Sequence, residues 1–250
     1  MSAPAPPPAS VLGRAVRIVE AFRPGEDTLA VTEVARRSGL HLATTSRMVG
    51  QLVDLGLLRR EPDRRVGLGM RLWELGSRAS PALTLREAAM PVMEDLHAVV
   101  GHHTQLGVLD GREVLFLERL SAPDAVINYT RIAGRLPLHA SSSGLVLLAH
   151  APRELQEEVL AGPLRTFTQA TIATPRALRA ALDRVRREGA AVCRGHFHPD
   201  ACGVAVPVRS ASGAVVAALS VIVPNDADAR THVTALRAAA RGASRRLTSH

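Results

Sequence analysis

Residues 31–68 constrain this chain more than any other stretch: a short helix, a glycine turn, a second helix and a basic hairpin. In VTEVARRSGL (31–40), Val34, Ala35 and Leu40 form one apolar side, with Thr32 as the expected cap and Gly39 as the terminator. The next segment, 43–55, puts Met48, Leu52 and Leu55 on one face and Thr44, Ser46, Arg47 and Gln51 on others, and Gly56 ends it. Two short helices joined across a glycine turn are what a helix-turn-helix requires. Residues 57–60 and 65–68 then alternate on either side of Glu61-Pro62-Asp63-Arg64, which reads as a β-hairpin. A hairpin directly after such helices is a wing. An earlier helical pattern from Val11 to Phe22, stopped by Pro24-Gly25, supplies a third helix to pack against. Residues 1–10 read as a disordered Pro/Ala leader.

In a winged helix-turn-helix the second helix of the motif enters the major groove, and its early residues meet base edges. Here His41, Thr44, Thr45, Ser46 and Arg47 occupy that position. Arg47 alone among them can fork onto a guanine edge. Arg64 and Arg65, at the hairpin tip, are placed for phosphate. Net charge supports this less than it first suggests. The chain carries 31 basic against 23 acidic residues, a formal +8, and every basic residue is arginine. An all-arginine count is what GC-rich coding yields, so the total permits a polyanion partner without requiring one. Position is more informative: Arg59, Arg60, Arg64, Arg65 and Arg71 face only Glu61 and Asp63.

From about residue 84 the pattern changes. Leu85, Ala89, Val92, Leu96 and Val99 mark an amphipathic helix that contains Pro91, and 71–77 form a short helix before it. Two-residue alternation then dominates. Segments 105–109 and 113–120 flank Asp110-Gly111 as a hairpin, 125–132 read as a third strand, and 190–193, 203–209 and 214–223 as further strands. Helices are expected over 142–150, 154–160, 177–188 and 228–247. Strands and helices mixed without βαβ regularity imply an α+β domain with a mostly antiparallel sheet. The expected organisation is a leader (1–10), a winged helix-turn-helix (11–69), a linker helix (70–83) and a sheet domain (84–250).

Several function classes are excluded or weakened. Six aromatic residues in all, Phe22, Trp73, Phe116, Tyr129, Phe167 and Phe197, argue against recognition by base stacking. Two cysteines make no disulfide scaffold, no signal-peptide pattern opens the chain, and the apolar run 214–223 is far short of a membrane span. A cytoplasmic protein with no membrane partner is expected. No Gly-x-Ser-x-Gly, phosphate-cradling loop or His-Glu-x-x-His pattern supports catalysis, and nothing implies a cofactor.

The sequence resembles the IclR (isocitrate-lyase-regulator) family of bacterial transcription factors. The resemblance spans nearly the whole chain, through VTEVARRSGL (31–40), QLVDLGLL (51–58), LGMRLWELG (68–76), LREAAMPVMEDL (85–96), LPLHASSSGLVLLA (136–149) and AVPVRSASGAVVAALSV (205–221). It implies a winged helix-turn-helix, a linker helix and a C-terminal GAF-like domain that binds a small effector. It further implies homodimers or homotetramers on pseudo-palindromic double-stranded operators, and a ligand-responsive repressor is the expected function. Three positions depart from the family: His198 stands where a Glu is usual, Gly203 where a Cys is usual with Cys202 shifted by one, and Ala43 where a Ser is common.

Ser141-Ser142-Ser143-Gly144 opens an apolar helix, so free N–H groups and hydroxyls converge at its N-terminus and suit a carboxylate. With His139, His198, Cys202 and Gly203 these residues form the expected effector site. Capping by a single serine is the simpler alternative. Cys193, His196, His198 and Cys202 raise a second reading, a metal- or redox-sensing regulator, because imidazole and thiolate are zinc-type ligands. Their spacing matches no standard zinc motif, and a polar loop at a pocket mouth is the competing account. An enzyme with an appended DNA-binding domain is a third class, which turnover of a bound ligand would reveal.

Overall fold

Three helices and a two-stranded hairpin make up the N-terminal unit: α1 (Val11–Glu20), α2 (Val31–Ser38), α3 (Leu42–Asp54), β1 (Leu58–Arg60) and β2 (Val66–Leu68), followed by α4 (Met70–Ser77). This computed structural model describes residues 10–248 apart from 24, 79, 80, 124, 127 and 129, and its contacts divide it into units 1–80 and 81–250. Residues 1–9 of the expected leader and Pro24 lie outside the described residues.

Ser10 caps α1, its Oγ accepting from Gly13 N at 2.9 Å. Thr32 does not cap α2: Ala30 holds that position without a side-chain bond, which places Thr32 inside the first turn. Gly39 ends α2 at φ 65°, a left-handed conformation that costs any other residue roughly 1 kcal/mol. Ile18, Phe22, Val34, Met48, Val49, Leu52, Leu58 and Val66 form one core beneath these elements. The hairpin is antiparallel, with Leu58 opposite Leu68. Leu29 and Val66 exchange backbone hydrogen bonds at 2.8 Å, so residue 29 adds a third rung to the wing.

The C-terminal unit is an antiparallel six-stranded sheet in the order β5-β4-β3-β8-β7-β6, with β3 (His103–Asp110), β4 (Glu113–Leu120), β5 (Arg135–Pro137), β6 (Ala191–Arg194), β7 (Ala201–Arg209) and β8 (Val215–Pro224). Helices cover both faces. α5 (Pro81–Val100), which runs through Pro91, and α9 (His232–Thr248) pack on Leu106, Cys202, Val204, Val206, Leu219 and Val221. α6 (Ser142–Ala149), α7 (Arg153–Ala161) and α8 (Pro175–Glu188) pack on Val114, Phe116, Cys193, Ala205 and Ala218. The period of two along β7 and β8 divides their residues between the two cores. The α+β class and mostly antiparallel sheet are as expected.

One strand is misplaced in the sequence reading. The described residues of 125–132 form no strand; the short strand comes later, at Arg135–Pro137, paired with β4. Asn128 turns the chain on itself by accepting from Thr130 N at 3.0 Å, and Ala133 takes φ 60°. Local side-chain bonding of this kind competes with a sheet ladder.

Candidate functional site

In α3, Thr45, Met48, Val49 and Leu52 face the core, leaving His41, Leu42, Ala43, Ser46, Arg47 and Gln51 exposed and Thr44 half-buried. Thr45 is fully buried and donates from Oγ1 to the His41 carbonyl at 3.1 Å, so it cannot reach out of the unit as expected. His41 caps the helix with no side-chain bond. Among the described residues, the Arg47 guanidinium has no ion-pair or hydrogen-bond partner. α2 differs: Arg36 and Arg37 both grip Glu33, and Arg37 also grips Glu26. Hydrogen bonds from Arg36 first and Arg37 second pull the Glu33 pKa down to about 2. Those arginines are structural, whereas Arg47 is available.

The wing sorts its arginines the same way. Arg65, expected on phosphate, donates to Thr28 Oγ1 at 2.9 Å and to the Thr28 carbonyl at 2.7 Å, fastening the hairpin to the segment before α2. Arg59 pairs with Glu61. The guanidinium groups of Arg60 and Arg64 are exposed and without partners among the described residues. From sequence Arg60 stands out only as one of a basic run, since neighbouring arginines look alike until their partners are known.

The second site lies between the sheet and the start of α6. A cleft with about 510 Å³ of empty space, solvent at its mouth included, has Ser141, Ser142 and Ser143 along one edge. Phe116, Leu136, Phe197 and Ile222 give it apolar walls, and Gln105, Asn128, Thr130, His196 and His198 are its polar lining. Ser141 is the N-cap, accepting from Gly144 N at 3.1 Å. Ser143 donates to Ser220 Oγ at 2.9 Å, which ties α6 to β8. The Ser142 hydroxyl has no partner among the described residues and sits against Gly203, where a Cβ would lie 2.7 Å from it. A side chain at that position would require the Ser142 hydroxyl to turn aside. The Phe197 ring lies 4.5 Å from the Phe167 ring, which fixes this wall.

Of the expected effector residues, the cleft brings together Ser141, Ser142, Ser143, His198 and Gly203, and three others do not line it. His139 is buried, with its Nε2 2.9 Å from the Arg165 carbonyl. Gly144 lies against the Leu138 backbone, where a Cβ would come within 2.3 Å of the carbonyl oxygen. Cys202 points into the opposite core, toward α5 and α9. The metal reading fails for the same reason: Cys193 pairs across the ladder with Gly203, one residue past Cys202, so the two thiols occupy opposite faces of the sheet. Burial pushes both thiols up, Cys202 to about 11. No group of three potential ligands forms among the described residues, and both cysteines are free. Residues 195–200 are instead a polar loop at the cleft mouth.

Gln105, Asn128 and Thr130 were missed. Gln105 lies on β3 and donates to Thr130 Oγ1, which donates to Asn128 Oδ1 at 2.8 Å. Polar residues within an apparent strand were the available signal. No helix among the described residues is long and apolar enough to cross a membrane.

Comparison with known proteins agrees with this architecture. The IclR helix-turn-helix domain model matches residues 11–62, and the bacterial transcriptional regulator IclR C-terminal model matches residues 78–248. The chain is 34% identical over 209 residues to the HTH-type transcriptional regulator XynR of Escherichia coli, covering 83% of each chain. It is 29% identical over 243 residues to the glycerol operon regulatory protein of Streptomyces griseus, covering 94% of this chain and 95% of the other. Among solved structures, an IclR homolog from Microbacterium hydrocarbonoxydans complexed with 4-hydroxybenzoate superposes with TM-score 0.91 at 46% identity, covering 96% of this chain and 100% of that one. These relatives are transcriptional regulators, not enzymes, and the chain belongs to the IclR family of bacterial transcriptional regulators.

Proposed function

We propose that this regulator is a homo-oligomeric repressor whose α3 and wing hold a pseudo-palindromic DNA operator and whose cleft takes a small aromatic carboxylate. The observation that carries the effector reading is the composition of the cleft. A helix N-terminus and a free Ser142 hydroxyl face a space walled by Phe116 and Phe197, with no acidic residue among those lining it. Such an end stabilises a carboxylate, and two ring faces accept a planar ligand. The Microbacterium relative's complex with 4-hydroxybenzoate supports the same chemistry. On the DNA side, Arg47 is the base reader, and Arg60 and Arg64 hold phosphate. Val11, Leu12 and Val16 on α1 and Met70 and Trp73 on α4 are exposed apolar side chains, Trp73 at 69%, which favours assembly with a second copy. Effector binding alters operator affinity only as far as its affinity differs between the DNA-bound and free arrangements.

Footprinting of the full chain on the DNA flanking its own gene tests this reading. Arg47→Ala weakens binding about 10- to 100-fold, worth roughly 1–3 kcal/mol, with an altered base preference. Arg64→Ala weakens all sequences alike and lowers the salt dependence by about one phosphate. Added 4-hydroxybenzoate shifts the wild-type footprint, and Ser142→Leu abolishes that shift while leaving DNA binding intact. Wild-type footprints from both arginine variants would remove α3 and the wing from the interface.

A further inference from the structure

Two residues that line the cleft each hold a buried polar atom with no partner among the described residues: Asn128 its Nδ2 and His196 its Nδ1. Each stands out because its neighbours are satisfied. The Asn128 carboxamide cannot be turned to hide the defect, since its Oδ1 already accepts from Thr130 N at 3.0 Å and Thr130 Oγ1 at 2.8 Å. Its amide N–H groups are therefore left as donors. The backbone around His196 is equally well held. Thr168 Oγ1 donates to the Gly195 carbonyl and Thr171 Oγ1 to the His196 carbonyl, both at 2.6 Å. The imidazole is thus carried on a pinned turn with its buried Nδ1 unpaired among the described residues.

Burial, and then the nearby Arg184 and His139, hold the His196 pKa below the usual histidine value, so the ring stays neutral near pH 7. A neutral imidazole nitrogen accepts or donates a hydrogen bond according to its tautomer. Leaving buried polar groups unpaired is costly, and a bound group that completes them is selected for that reason. No arginine or lysine lines the cleft, so these two atoms suit an uncharged oxygen, with the anionic end left to the α6 N-terminus.

Resting on the effector reading above, we propose that His196 and Asn128 are the specificity-determining pair, selecting an aromatic acid that carries a ring hydroxyl over the same acid without one. The hydroxyl oxygen accepts from the Asn128 amide, and its O–H donates to His196 Nδ1. A site with polar groups placed for a hydroxyl rejects the analogue that lacks it, because the site's own atoms are then stranded.

Calorimetric titration of the full-length chain with 4-hydroxybenzoate and with benzoate is the test. Wild type binds the hydroxylated acid more tightly by about tenfold or more. His196→Leu and Asn128→Leu each bring that ratio to within about twofold while benzoate affinity stays within about threefold. His196→Asn, which keeps a polar atom near the Nδ1 position, restores part of the preference. Thermal melts of each variant verify folding, and two independent positions keep one unstable protein from deciding the matter. A full preference surviving in both leucine variants overturns the proposal, because the hydroxyl is then read elsewhere. Parallel loss of both acids also overturns it, assigning the pair to the carboxylate or to cleft shape. Failure of wild type to bind either acid defeats the effector reading itself and the pair's role with it.

Discussion

α3 and α6 begin alike and end in opposite circumstances. Each follows a residue in extended conformation, His41 or Ser141, and each carries small or hydroxyl-bearing residues in its first turns, Ala43-Thr44-Thr45-Ser46 after Leu42 in one and Ser142-Ser143-Gly144 in the other. Every residue of α6 is buried, whereas α3 buries only Thr45, Met48, Val49 and Leu52. The same polar chemistry therefore meets different partners. On α3 Arg47, without a partner among the described residues, is exposed, and leaving it hydrated costs the free protein little. Around α6 an unpaired atom is stranded among apolar walls, and only a small molecule or water can complete it. Where the unpaired groups lie separates the proposed DNA interface from the proposed ligand site better than which residues they are.

The largest test of this contrast adds one methyl group to each helix. At Gly144 a Cβ would lie 2.3 Å from the Leu138 carbonyl oxygen and 2.6 Å from the Leu138 Cα, both backbone atoms that cannot turn aside. Gly144→Ala is expected to destabilise the C-terminal unit by about 3 kcal/mol or more, read from chemical denaturation. At Gly50, inside α3, a Cβ meets nothing within 4 Å and the backbone is helical. Gly50→Ala is expected to stabilise the N-terminal unit by about 0.5–1 kcal/mol through the smaller entropy of the unfolded chain. Effects of the same sign at both glycines would mean that burial does not distinguish the two helices.

Much of this was legible in the sequence where local signals agreed. The Gly39 turn, the wing, five of the six sheet strands and the serine-led helix each rest on short-range periodicity or on a residue with a fixed conformational role. What the sequence could not display were partners from distant segments. Arg65 reads as a phosphate ligand until Thr28, thirty-seven residues earlier, takes its guanidinium. Cys202 reads as a neighbour of Cys193 until the β6–β7 register puts the two thiols on opposite faces. Thr45 lies one turn after His41, and only the packing of α3 on the core buries it. Asn128 was hidden by a local turn that ended a run otherwise suited to a strand.

The smallest effect expected concerns the arginines that are already committed. Glu33 titrates at about 2 in the folded unit, against about 4.5 when unfolded, because Arg36 and Arg37 hydrogen-bond to its charged form. A depressed carboxylate stabilises the fold fully above the unfolded value, and its contribution fades as pH falls from about 4.5 to about 2. Glu26 shifts in the same direction through Arg37. Other carboxylates titrate in the same window, so the measurement is a difference: melting temperature against pH for wild type minus that for Glu33→Gln. That difference should be flat above about pH 4.5 and close toward zero near pH 2. It stays modest because water screens charges at the surface of α2. Operator binding near pH 7 should survive Glu33→Gln to within about threefold, since Arg36 and Arg37 are committed to the fold whereas Arg47 is the proposed base reader. A loss matching that of Arg47→Ala would place α2 in the interface after all, and the division between committed and available arginines would have to be redrawn.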